Sequence, residues 1–187
     1  MKKFATLALL ATAAIATPAL AQTATGTVAV TGTVAGKCTA SPAITGTIAL
    51  AELANSGGTV ISTFSNNVGG LARSFTVICT SANASITVSS TNLTNSADAT
   101  TANGYTGTVH YTSTLTAQKA GGGADASAVY TSADILPAAT TTSLADRLKN
   151  GANNVTVTVS NGTTTNATDL LKAGTYGSTI SITVSPV

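Results

Sequence analysis

The feature that most constrains this chain is a two-residue alternation of apolar and hydroxyl side chains, repeated along most of its length. Val28, Val30 and Val34 share a face with Gly26 and Gly32, while Thr25, Thr27, Thr31 and Thr33 take the other. Phe75, Val77 and Cys79 alternate with Ser74, Thr76 and Thr80, and Ile86 and Val88 continue the pattern after a turn at 82–84. Val109, Tyr111 and Leu115 alternate with His110, Thr112, Thr114 and Thr116. Val155, Val157 and Val159 repeat it against Thr156, Thr158 and Ser160, and Ile180, Ile182 and Val184 against Thr179, Ser181 and Thr183. Successive strand side chains point to opposite faces, so this period dictates half-buried strands. Threonine keeps β propensity high on the wet face without adding apolar surface. The chain contains 38 Thr, enough to supply that face in every strand.

Turn residues separate the strands: Asn55-Ser56-Gly57-Gly58, Asn66-Asn67, Gly69-Gly70, Asn103-Gly104, 121–123 and Asn161-Gly162. One short helix is expected over Ser143–Lys149, with Ser143 as cap and Leu144 and Leu148 four apart. Many short strands joined by polar turns predict an all-β chain folded as one β-sandwich.

Residues 1–21 have the form of an export signal. Lys2 and Lys3 precede an apolar stretch too short to span a bilayer, and Ala19-Leu20-Ala21 is a small-x-small cleavage site. Cleavage after Ala21 would leave a mature chain of about 166 residues. No later segment has the length of a spanning helix. The formal charge of +2 belongs to Lys2 and Lys3; beyond residue 21, six basic side chains face six acidic ones. Export also accounts for the cysteines: Cys38 and Cys79 are an even pair in an oxidising compartment, where a disulfide is expected.

Chemistry is sparse. No basic cluster supports nucleic-acid binding. The Cys and His supply is too small for a zinc or iron–sulfur site. His110 is the sole histidine and lies on the threonine side of its strand, so it reads as an exposed polar-face residue. No G-x-S-x-G elbow or calcium loop occurs, and the glycines at 121–123 lack the Lys-Ser/Thr of a phosphate loop. Six scattered carboxylates suggest no acid–base pair, and few aromatics are left to stack on sugars. The expectation is a non-enzymatic protein without cofactor or metal.

Three landmarks occur in order. An alternating strand, TATGTVAVTGTVAGKCTAS, runs directly into Cys38. Cys79 ends a strand in SFTVICTSANASITVS. Gly174 and Tyr176, in KAGTYGSTISITVSPV, precede the last strand. This arrangement resembles the spore-coat-U-like domain of archaic chaperone–usher pilins. Residues 91–150 align with nothing in that pattern.

The resemblance implies an immunoglobulin-like sandwich lacking its final strand, so that a groove of exposed core and unpaired backbone stays open. A periplasmic chaperone would fill it temporarily. At an outer-membrane usher, the N-terminal extension of the next subunit would replace the chaperone by strand addition. On this reading residues 22–36 are the extension and 37–187 the pilin domain. Val28, Val30 and Val34 would plug a neighbour's pockets, with Gly32 at a shallow position. Ile180, Ile182 and Val184 would line part of the acceptor groove. The alternatives are a monomeric surface or spore-coat-like domain that fills its own groove with residues 23–34, and a receptor-binding adhesin. Tyr176 is either a core or corner tyrosine or part of chaperone recognition.

Overall fold

The computed structural model describes residues 26–187; the expected export signal lies outside them. Residues 26–33 belong to a unit separate from the compact one, Val34–Val187. They form no strand, and Val28 and Val30 are 90% and 94% exposed. Among the described residues, the alternation over 26–34 therefore forms no strand. Alternation marks which face a strand would bury, whereas pairing requires a second edge.

The compact unit is all-β, with no helix among the described residues. Its strands are β1 (Cys38–Ala40), β2 (Ala49–Leu50), β3 (Asn66–Val68), β4 (Ala72–Phe75), β5 (Val77–Cys79) and β6 (Ala84–Ser90). Then come β7 (Leu93–Asn95), β8 (Thr101–Ala102), β9 (Tyr105–Thr106), β10 (Thr108–Ala117) and β11 (Ala126–Thr131). The last are β12 (Thr140–Ser143), β13 (Val155–Thr163), β14 (Leu170–Leu171), β15 (Tyr176–Gly177) and β16 (Ile180–Pro186). One sheet has the order β15-β7-β10-β13-β4, with β11 also on β10; the facing sheet is β12-β6-β16. All these pairings are antiparallel. Ala84, Ile86 and Val88 of β6 pack against Leu115, Val155 and Val157 of the other sheet, the interior that the alternation predicts.

The outward faces follow the same rule. Across β11, β10, β13 and β4, one row reads Ser127, Thr116, Thr156, Ser74 and the next Val129, Thr114, Thr158, Ala72. Across β12, β6 and β16 the rows are Ser143, Ser85, Ser185 and Thr141, Thr87, Thr183. Hydroxyls bond across strands, as between Thr87 and Thr141 (2.8 Å) and Ser74 and Thr156 (2.8 Å). Neither face carries a charged side chain in these rows.

Four local expectations need correction or refinement. Asn103-Gly104 is a tight hairpin: φ is 54° and 76°, and Ala102 pairs with Tyr105, as a two-residue I′ turn requires. Asn161-Gly162 is instead a bulge inside β13, where the register against β10 slips between His110 and Thr112. Asn161 takes the left-handed conformation, and a Cβ on Gly162 would lie 2.5 Å from the Ile61 carbonyl oxygen. Asn66-Asn67 lies in β3, and the reversal falls on Gly69-Gly70, both left-handed.

The helix over Ser143–Lys149 does not form. Leu144 N–H donates to the Ala84 carbonyl (2.9 Å) and Lys149 N–H to that of Gln118 (2.8 Å). Neighbouring strands thus take the backbone at both ends of a segment too short to hold a helix alone. Leu144 and Leu148 are still buried, so their spacing reports burial and not helicity.

Between β4 and β5 the chain leaves β13 to pair with β1, and Asn154 fills the break. Its Oδ1 accepts from Val77 N–H (2.9 Å), and its Nδ2 donates to the carbonyls of Val77 (2.7 Å) and Lys149 (2.6 Å). Asn154 is 1% exposed, so Asn154→Ala would leave buried backbone groups without partners. The expected cost is about 3 kcal/mol or more, at roughly 1–3 kcal/mol for each of the three orphaned groups, read by denaturant melts.

Candidate functional site

The site is an open groove beside β16. This strand pairs with β6 alone, from Ile180↔Ser90 to Pro186↔Ala84. Thr91 N–H donates to the Thr179 carbonyl (3.0 Å) and Val187 N–H to that of Asn83 (3.1 Å), which fixes the phase of the ladder. In an antiparallel pair bonded and non-bonded positions alternate. Ser181, Thr183 and Ser185 therefore turn their backbone groups to β6, and Ile180, Ile182 and Val184 turn theirs outward. Pro186 ends the free edge with a carbonyl and no N–H. The same three apolar side chains point inward and are only half-buried.

Ile180 and Ile182 form one wall of the groove, about 950 Å³ in volume. Ile44, Ile48, Leu50 and Leu53 form the opposite wall. Phe75, Tyr111, Val157 and Val159 make the floor, and Leu171 and Tyr176 close one end. Val184, placed in the groove by the sequence reading, is not among the lining residues. It packs on the main core near the end of β16 that β1 approaches. The groove also divides the interior. One core cluster centres on Ile86, Leu115 and Val157, a second on Phe64, Val109 and Tyr111, and Ile48 and Ile180 touch both.

Gly174 and Tyr176 shape the closed end. A Cβ on Gly174 would lie 2.6 Å from Asn95 Nδ2, so only glycine fits against that buried side chain. Asn95 donates to the Lys172 and Ala173 carbonyls (both 3.1 Å) and accepts from Ala97 N–H (2.9 Å). The Tyr176 hydroxyl donates to the Lys172 carbonyl four residues back (2.8 Å). That bond has the geometry of a corner tyrosine, and Tyr176 also lines the groove. Lys172 Nζ lies 2.7 Å from Asp98 Oδ2. That ammonium, with the Thr100 hydroxyl and N–H, holds the Asp98 carboxyl well below the usual carboxylate range.

Cys38 and Cys79 are bonded and lie directly opposite one another on β1 and β5. Val28, Val30, Gly32 and Val34 are exposed and outside any strand. His110 requires a correction: it is 7% exposed, not a surface residue. Its Nδ1 lies 3.0 Å from Asn92 Oδ1, and its Nε2 lies 3.1 Å from Asp134 Oδ1 and 3.3 Å from Thr165 Oγ1. The segments carrying Asp134 and Thr165 cover this end of β10, so its threonine face is not the wet one there.

The wall from Ile44 to Leu53 was not singled out from the sequence. Its signal is the even spacing of Ile44, Ile48 and Leu50, the same period as elsewhere. Chemically the groove offers apolar sockets and a row of free backbone donors and acceptors. These are the two requirements for receiving an extended strand. No family model, curated protein or solved structure matches this chain.

Proposed function

We propose that this chain is a structural pilus subunit, exported through the periplasm after cleavage behind Ala21 and assembled at the cell surface by donor-strand exchange. The observation that carries the reading is the open groove beside β16, which combines an unpaired edge with a divided core. A fibre subunit needs both an acceptor and a donor. The donor is the extension of the next copy, with Val28, Val30 and Val34 as plugs and Gly32 where backbones come close. Each buried valine contributes roughly 1.5–3 kcal/mol and each net hydrogen bond about 0.5–1.5 kcal/mol. Together they suffice for a non-covalent fibre that serves adhesion and biofilm formation. The remaining partners are a periplasmic chaperone, which covers the groove before assembly, and an outer-membrane usher. The role is non-enzymatic.

The self-complemented alternative needs residues 23–34 in the chain's own groove. In the compact unit the edge of β16 is unpaired, and the two readings differ in whose extension pairs with it. The test adds a synthetic peptide of residues 24–34 to the compact unit Val34–Val187. At a hundred times its dissociation constant, the peptide should raise the melting temperature by roughly 5–10 °C. A peptide with aspartate in place of Val30 should not. Equal melting curves with and without the native peptide would refute the assignment.

A further inference from the structure

We infer that the Cys38–Cys79 bridge and Thr80 form a tension clamp that keeps pulling force off the groove wall. This rests on the fibre reading, in which load arrives through the segment preceding Cys38 and leaves through the edge of β16.

The geometry of the two ends is specific. Cys38 is the first residue of the first strand, and its register partner is the cysteine that it bonds. Thr80 binds the incoming backbone just before it: Lys37 N–H donates to Thr80 Oγ1 (3.0 Å), and the Thr80 hydroxyl donates to the Ala35 carbonyl (2.9 Å). Thr80 N–H donates in turn to the Lys37 carbonyl (2.9 Å). The same turn holds the far end of β16: the Ser81 hydroxyl donates to the Val187 carbonyl (2.8 Å), and Val187 N–H donates to the Asn83 carbonyl. Both β1 and β5 also lie against β16. The shortest mechanical path through the domain therefore runs from residues 35–38 across the bridge and the 80–83 turn into β16.

What lies off that path is the loop closed by the bridge, and that loop contains Ile44, Ile48, Leu50 and Leu53. Without the bridge, the three-residue β1–β5 pairing, the packing of β1 on β16 and the core, and the Thr80 contacts would stand between an applied pull and this wall, none of them covalent. Tension from one neighbour would then peel away the surface that grips the other.

The test stretches single molecules of the mature chain between its N-terminus and a thioether handle at Ser181→Cys, an exposed position on β16. It needs no fibre, so its outcome is separate from the peptide-binding test. The oxidised chain should show no extension from residues 38–79 before the main rupture. After reduction of the already folded, tethered molecule, an early low-force step of roughly 10–14 nm should appear. That is the extended length of the chain between Cys38 and the β4–β5 segment. Thr80→Val in the reduced state should lower the force of this step further. A reduced molecule that ruptures at the oxidised force with no early step would overturn the clamp. So would a Thr80→Val step at unchanged force, by removing Thr80 from it.

Discussion

Val30→Asp should give a folded subunit that forms no fibres. Val30 is 94% exposed in the free chain, so the substitution removes no internal contact and the melting temperature of the subunit should not move. In the assembled state the same side chain would enter an apolar socket in the groove. There the variant loses roughly 1.5–3 kcal/mol of burial and must also desolvate a carboxylate with no positive partner, which costs several kcal/mol more. A total above about 5 kcal/mol lowers the association constant by a factor of thousands. Electron microscopy and size-exclusion chromatography read the result. Wild-type fibres from the variant would remove residues 25–34 from the donor role. Thr31→Asp is the matching control, because Thr31 lies on the opposite face of the extension and should interfere far less.

Loss of the disulfide should have the second-largest effect. The bridge closes a loop across 41 positions, and bridges of this size contribute roughly 4 kcal/mol in the chain-entropy treatment. A domain with a divided core has little margin against such a loss. Cys79→Ser should therefore reduce the periplasmic yield sharply and lower the melting temperature of what survives. The double variant Cys38→Ser/Cys79→Ser should behave alike, which separates loss of the bridge from the presence of a stray thiol. Unchanged yield and melting in both variants would show that the bridge is dispensable for folding.

The strands that were legible in the sequence are those long enough to display a period. β6, β13 and β16 each carry three or more alternations; the structure buries the predicted faces of β6 and β13 and half-buries that of β16. The two- and three-residue strands, such as β8, β9 and β14, are too short for any period and depend on what lies beside them. β10 misleads for a different reason: loops cover the end that holds His110 and Thr112, and those polar residues are buried among hydroxyls and a carboxylate. Leu144 and Leu148 are buried without a helix, because spacing by four cannot separate a helix from a turn between two strands. The groove itself was reached only through resemblance. A free edge is defined by what does not pair with it, and no pattern in β16 distinguishes that edge from a covered one.

The hydroxyl rows on the two outer faces have a consequence for behaviour in changing water. Charged surfaces attract or repel one another over a Debye length, about 8 Å at physiological ionic strength and about 30 Å in dilute fresh water. Surfaces made of Ser and Thr have almost no such long-range term for dissolved ions to screen. Two copies meeting face to face would experience the same short-range hydration forces in brine, in rainwater and across most of the pH scale. Contacts made through these two faces are thus set by the chemistry of the alcohol group, and dissolved ions have little means to alter them.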